Sequence, residues 1–210
     1  GASCLAADKP PPAYTVAPYA IPDGIKFEAS GLALLPDGRL AASSRRGEVW
    51  ILNHPEADPS KPDEVGFHRF AAGMHEVLGL AWHEGALYAA QRSEVTRLRD
   101  TDGDGVADEY LAAAKGWGVS GNYHEYAYGP VFDPRGTMWI TLNATMGAHV
   151  KMPGQRTTDF PWRGWAMTMQ PGGRLKPLCA GLRSPSGIGL NAEGDVFCTE
   201  ETPLEPISLY

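Results

Sequence analysis

The chain has 210 residues, 43% of them apolar and 20% charged, with a formal net charge of −7, which allows a sizeable globular core. No run of Lys or Arg exceeds the pair Arg45 and Arg46, so the basic footprint of a nucleic-acid binder is absent. No stretch approaches the roughly 18 consecutive apolar residues of a membrane helix, and Cys4, Cys179 and Cys198 form neither a CxxC pair nor a haem-attachment motif.

Residues 1–20 open with GASCLAADKPPP. Small residues followed by a polar, Pro-rich stretch read as the tail of a secretion signal, with Cys4 a candidate lipid anchor, or else as a disordered leader. The first alternative implies a periplasmic or secreted protein. From residue 21 onward one unit recurs: GLALLPDGRLAASSRRGEVWIL (31–52), GLAWHEGALYAAQRSEVTRLRD (79–100), YGPVFDPRGTMWITLN (128–143) and GIGLNAEGDVFCTEE (187–201). Each copy reads as strand, tight turn, strand, with a Gly supplying the positive φ that a short hairpin needs.

The copies start about 48 to 59 residues apart, the length of a four-stranded propeller blade. The predicted fold is an all-β propeller of four-stranded antiparallel blades, at about 31–74, 75–123, 124–182 and an incomplete 183–210. Three and a third blades leave raw sheet edges, so the expectation is a truncated set from a ring of six. IKFEAS, ahead of the first blade, reads as the outer strand of a closing last blade. The tail ETPLEPISLY carries two prolines where a third strand of blade four would run.

In an antiparallel blade, the link into the first strand and the loop from the second to the third strand share one rim. That rim collects His75, Glu76, His124, Glu125 and Arg183 to Ser186 from the links, and Arg45, Arg46, Gln91, Arg92, Asn143 and Glu200 from the second-strand ends. Residues 144–163, about twenty without periodicity, read as a lid on the same rim, with His149 a surface residue on it. His124 stands among Tyr123, Tyr126 and Tyr128, where an imidazole serves either as a base or as a polar member of an aromatic cluster. The His-Glu steps also have metal-ligand chemistry. RDTDGDGVADEY sets Asp100, Asp102, Asp104 and Asp108 at positions one, three, five and nine of a calcium loop with Gly105 at six. Position twelve is Leu111, and the loop falls on the opposite rim, so an ion there is structural.

The frames HEYAYGPVFDPRGTMWIT and GLRSPSGIGLNAEGDVFCTE resemble the quinoprotein glucose/sorbosone dehydrogenase propellers, and most closely their secreted bacterial "putative membrane-bound dehydrogenase" branch, over Ile21 to Thr199. The resemblance implies pyrroloquinoline quinone (PQQ) as cofactor and a small carbohydrate or alcohol as substrate. It makes His124 the base that takes the hydroxyl proton and Arg183 a donor to quinone or substrate oxygens. Arg45, Gln91, Arg92, Asn143 and Ser184 become the candidate cofactor contacts, and a c-type haem module the electron acceptor. Ser184 replaces the Asn of the enzymes, and His75-Glu76 a Gln-bearing link. These departures point to the alternative, a non-catalytic propeller that binds a glycan or protein partner.

Overall fold

In the computed structural model, residues 14, 16–119, 122–145, 161–201 and 208–209 are described here. Cys4, most of the leader and of the 144–163 connection, and His149 lie outside them. The first blade is β1 (Ala29–Leu34), β2 (Leu40–Ser44), β3 (Glu48–Leu52) and β4 (Phe67–Ala71), with a one-turn helix α1 (Pro62–Val65) before its last strand. The second is β5 (Gly79–His83), β6 (Ala86–Ala90), β7 (Glu94–Arg99) and β8 (Glu109–Lys115). The third is β9 (Ala127–Phe132), β10 (Met138–Leu142), β11 (Trp165–Met169) and β12 (Lys176–Ala180), and the fourth begins with β13 (Pro185–Leu190) and β14 (Val196–Glu200). Within each blade the strands pair in chain order as an antiparallel meander, and the architecture is the expected incomplete β-propeller.

The four repeated turns hold their glycines at positive φ: Gly38 at 90°, Gly85 at 79°, Gly136 at 76° and Gly194 at 87°. Three of them share one geometry, a three-residue loop closed by Leu35 N to Arg39 O (2.8 Å), Asp133 N to Thr137 O (3.0 Å) and Asn191 N to Asp195 O (3.1 Å). Blade two uses the tighter two-residue form, in which Glu84 (φ 45°) also turns left-handed, as a type I′ hairpin requires.

Two segments differ from expectation. Ala29 and Ser30 of IKFEAS belong to the innermost strand β1, and residues 25–28 join no strand. In the tail, β15 (Ser208–Leu209) pairs with Cys179 and Ala180 of β12, on the outer edge of blade three. Both segments are short and carry an alternation that fits several registers, so long-range pairing decides their place.

The core lies in the seams between blades. Ala33, Ala41, Val49, Ile51 and Ala71 of blade one close on Val77, Leu80, Leu87, Ala89 and Leu98 of blade two. Ala90, Val95 and Ala114 then close on Ala127, Met138, Ile140, Leu142 and Met167 of blade three. Strand β6 serves both seams because its successive side chains point to opposite faces. A buried Leu or Ile contributes roughly 1.5–3 kcal/mol, so blade-to-blade contact supplies most of the apolar stabilisation.

At the inner ends the blades meet backbone to backbone. A Cβ on Gly31 would come within 2.7 Å of Gly79 Cα, and one on Gly79 within 1.8 Å of Gly129 O. A Cβ at Gly189 meets nothing within 4 Å. Gly79→Ala is therefore expected to destabilise the chain by about 3 kcal/mol, read from its urea midpoint. Gly189→Ala should change stability by no more than about 0.5 kcal/mol.

Candidate functional site

The rim that collects the links into the blades is stitched by side chains from blades two, three and four. On blade two, His75 N donates to Gln91 Oε1 (2.5 Å), and Gln91 Nε2 donates to Thr96 Oγ1 (2.6 Å). Arg92 is 6% exposed; its Nη1 pairs with Glu76 Oε2 at 2.9 Å, and its Nη2 donates to Asn122 O. Its guanidinium also stands 5.7 Å from the centre of the Tyr126 ring. Asn122 Oδ1 then accepts the backbone N–H of His124 (3.0 Å).

The His124 side chain is exposed, its ring centre 3.9 Å from that of Tyr123. Its neighbour Glu125 is wholly buried. Burial, reinforced by Tyr126, raises the phenol of Tyr128 above its ordinary range. Toward blade four, Asn143 N donates to Tyr126 O (3.1 Å) and Ala144 N to Arg183 O (2.9 Å). Both carboxylate oxygens of Glu200 accept backbone amides, from Arg183 (3.0 Å) and Ser184 (2.8 Å). Arg183 itself is partly buried. Arg45 stands apart: it is half exposed and faces Glu28 at 3.5 Å.

The candidate residues thus fall into two sorts. Gln91 and the terminal nitrogens of Arg92 are engaged with the protein itself, whereas Asn143, 7% exposed, has a buried Oδ1 with no partner among the described residues. Thr141 Oγ1, Thr145 Oγ1 and Trp139 Nε1 share that state. Met138, Ile140 and Leu142 face the second seam, so alternation along β10 puts Trp139 and Thr141 on its other face. A cavity of about 480 Å³ lies on blade one, lined by Gly24, Ile25, Lys26, Arg46, Glu48, Trp50 and Arg69, and of the residues expected on the rim it takes in Arg46.

Arg163 is a rim residue that the sequence pattern does not single out. It is 2% exposed and donates to three carbonyls: Gly118 O from Nε (2.6 Å), Tyr126 O from Nη1 (2.9 Å) and Arg92 O from Nη2 (3.1 Å). Burial brings its pKa down to about 10, Glu125 pulls it upward, and the charge of Arg92 adds to the lowering. It stays a cation at neutral pH. The signal in the sequence is slight, an Arg set directly before Gly164 in the run PWRGW.

On the opposite rim, the loop from β7 to β8 brings one carboxylate oxygen each of Asp100, Asp102 and Asp104 within 4.8 Å of one another. Burial opposes ionisation of Asp100, but the amides of Gly105 (2.9 Å) and Gly103 (2.7 Å) outweigh it and hold the carboxyl below its ordinary range. Asp108 turns instead to Thr101, accepting from its Oγ1 (2.6 Å) and N (2.9 Å). The loop rests on blade one, where His68 Nε2 donates to Gly105 O and Ala107 N to Phe70 O (2.8 Å).

A family model described as a domain of unknown function, DUF7133, matches residues 36–206. The chain belongs to the DUF7133 family. No curated protein matches this DUF7133 chain in sequence. Among solved structures it is similar to a protein from Thermus thermophilus described as an oxidoreductase (glucose dehydrogenase), at 21% identity and a TM-score of 0.62, covering 84% of this chain and 59% of that one. It is also similar to the PQQ-bound aldose sugar dehydrogenase of Streptomyces coelicolor (16%, TM-score 0.57, 90% and 59%). A gluconolactonase of Xanthomonas campestris gives 15%, a TM-score of 0.57, and 87% and 58%. At these identities the likeness is one of fold, and the DUF7133 chain spans under two thirds of each protein's length.

The Arg92–Glu76 pair is largely buried, with side chains 7% and 20% exposed, while Lys61–Glu64 stands in solvent at 56% and 54%. Removing Glu76 leaves a buried guanidinium unpaired. Glu76→Ala is expected to cost about 2–4 kcal/mol in urea unfolding, and Glu64→Ala about 0–1 kcal/mol.

Proposed function

We propose that this rim is the site of a PQQ-dependent dehydrogenase acting on a sugar or alcohol hydroxyl. The observation that carries the proposal is the contrast within the rim: an exposed His124 on a backbone fixed by Asn122, and on the same rim Asn143, whose buried Oδ1 has no partner among the described residues and suits a ligand that donates a hydrogen bond. Asn143, Arg183 and Ser184 would hold the cofactor, and a bound quinone supplies the two-electron acceptor for the hydride. His124 takes the hydroxyl proton of the substrate on its ring nitrogen, and a solvent-facing imidazole passes it on to water. Arg183 offers forked donors to oxygens that gain negative charge. Gln91 and Arg92 act as scaffold in this scheme, shaping the links that carry Glu76 and His124. Similarity of fold to sugar dehydrogenases supports the proposal. A periplasmic or secreted setting, read from the small and Pro-rich residues of 1–20, and a haem module as electron acceptor, taken from the family resemblance, belong to the same proposal.

Internal engagement of Gln91 and Arg92 favours a second proposal, a propeller that binds a glycan or protein partner through the same rim without chemistry. Titration with PQQ in the presence of calcium, followed by a panel of sugars, separates the two. The dehydrogenase predicts saturable binding and sugar-dependent bleaching of the quinone. In His124→Ala, binding should persist while reduction slows about 10²- to 10⁴-fold. Absence of binding at micromolar cofactor would leave the non-catalytic propeller.

Calcium on Asp100, Asp102 and Asp104 belongs to the same proposal as a structural ion, since hard carboxylate oxygens suit it. The loop joins blades one and two, so an ion there stabilises their seam. Calcium at about a hundred times its Kd should add about 2.7 kcal/mol, seen as a raised Tm. Asp102→Asn with Asp104→Asn should abolish the increment.

A further inference from the structure

We propose that Arg163 is the positioning residue that fixes the His124 segment on the rim and ties it to residues 161–163 ahead of β11. The inference rests on the role given to His124, and its geometry stands apart from any cofactor. Two of the three carbonyls that Arg163 engages, Gly118 O and Tyr126 O, bracket the segment that carries His124. The third, Arg92 O, belongs to the loop after β6, and that oxygen also accepts from Trp117 Nε1 (2.6 Å). Gly118 is held at both ends, because its N–H donates to Pro161 O (3.0 Å).

From the other side, Arg92 Nη2 engages Asn122 O, and Asn122 Oδ1 receives the His124 N–H. Two buried arginines therefore grip the segment at 118, 122 and 126, and the buried Glu125 supplies negative charge that favours the Arg163 cation. Only a planar guanidinium presents donors in three fixed directions, and an ammonium at the same place cannot span all three carbonyls. At 2% exposure the Arg163 guanidinium has these carbonyls, and not bulk water, as its partners.

The test is amide hydrogen exchange on Arg163→Lys and Arg163→Met, with the ring resonances of His124 followed by NMR. Both readouts need no cofactor, so failure of the dehydrogenase proposal and failure of this one are distinguishable. In Arg163→Met, exchange of amides 118, 119 and 122 to 126 is expected to rise at least tenfold while those of β2, β3, β6 and β7 keep their rates, and the ring resonances of His124 should move. Arg163→Lys should recover part of the protection, and it carries the test if Arg163→Met does not fold. Unchanged exchange at those amides, or a uniform rise across all blades with the His124 ring resonances in place, would overturn the proposal.

Discussion

Close approach of β1, β5 and β9 at Gly31, Gly79 and Gly129 sets the spacing on which the other elements depend. With no side chain between them, the inner strands stand backbone to backbone, and the wider outer parts of the blades are left to fill with Leu, Ile, Met and Ala. The wedge shape of each seam follows. Ser30 and Ser43 add a polar lock at the same level: Gly31 N donates to Ser43 Oγ (2.8 Å) and Ser30 Oγ to Val77 O (2.5 Å). Inner strands fixed in this way carry their incoming links to one rim, so residues far apart in sequence meet there.

That convergence explains how the rim uses its polar groups. Blade two places Gln91 and Arg92 where second-strand ends lie, and the neighbouring links supply backbone groups that need partners away from water. Both side chains answer that need. His124 remains exposed because the bonds that fix it run through its backbone. A rigid support with a free side chain is the arrangement a catalytic or binding group requires. The Asp-rich loop on the opposite rim reaches across to β4 of blade one through Phe70 and His68, a second tie between the same two blades.

Much of this organisation was legible in the sequence because it is local. The PDG, HEG, PRG and AEG turns declare their left-handed glycines, and the strands around them alternate as half-buried strands do. The Asp100–Asp104 spacing is likewise short-range, whereas Asp108, four residues further on, finds Thr101 first. What stayed hidden depends on distant partners. Gln91 answers to residue 75, Arg92 to residues 76 and 122, and Arg163 to 92, 118 and 126. Residues 25–28 alternate like a strand, yet only Ala29 onward has β2 to pair with.

The central claim is that the rim holding His124 is where the ligand binds. Amide chemical-shift mapping of the ¹⁵N-labelled chain on adding PQQ and calcium tests it most directly. Shifts from the quinone confined to residues 122 to 126, Asn143 and Arg183 to Ser184, with calcium alone moving residues 100 to 105, are the predicted result. Quinone-dependent shifts that miss the rim, or gather on the opposite one, would contradict the account.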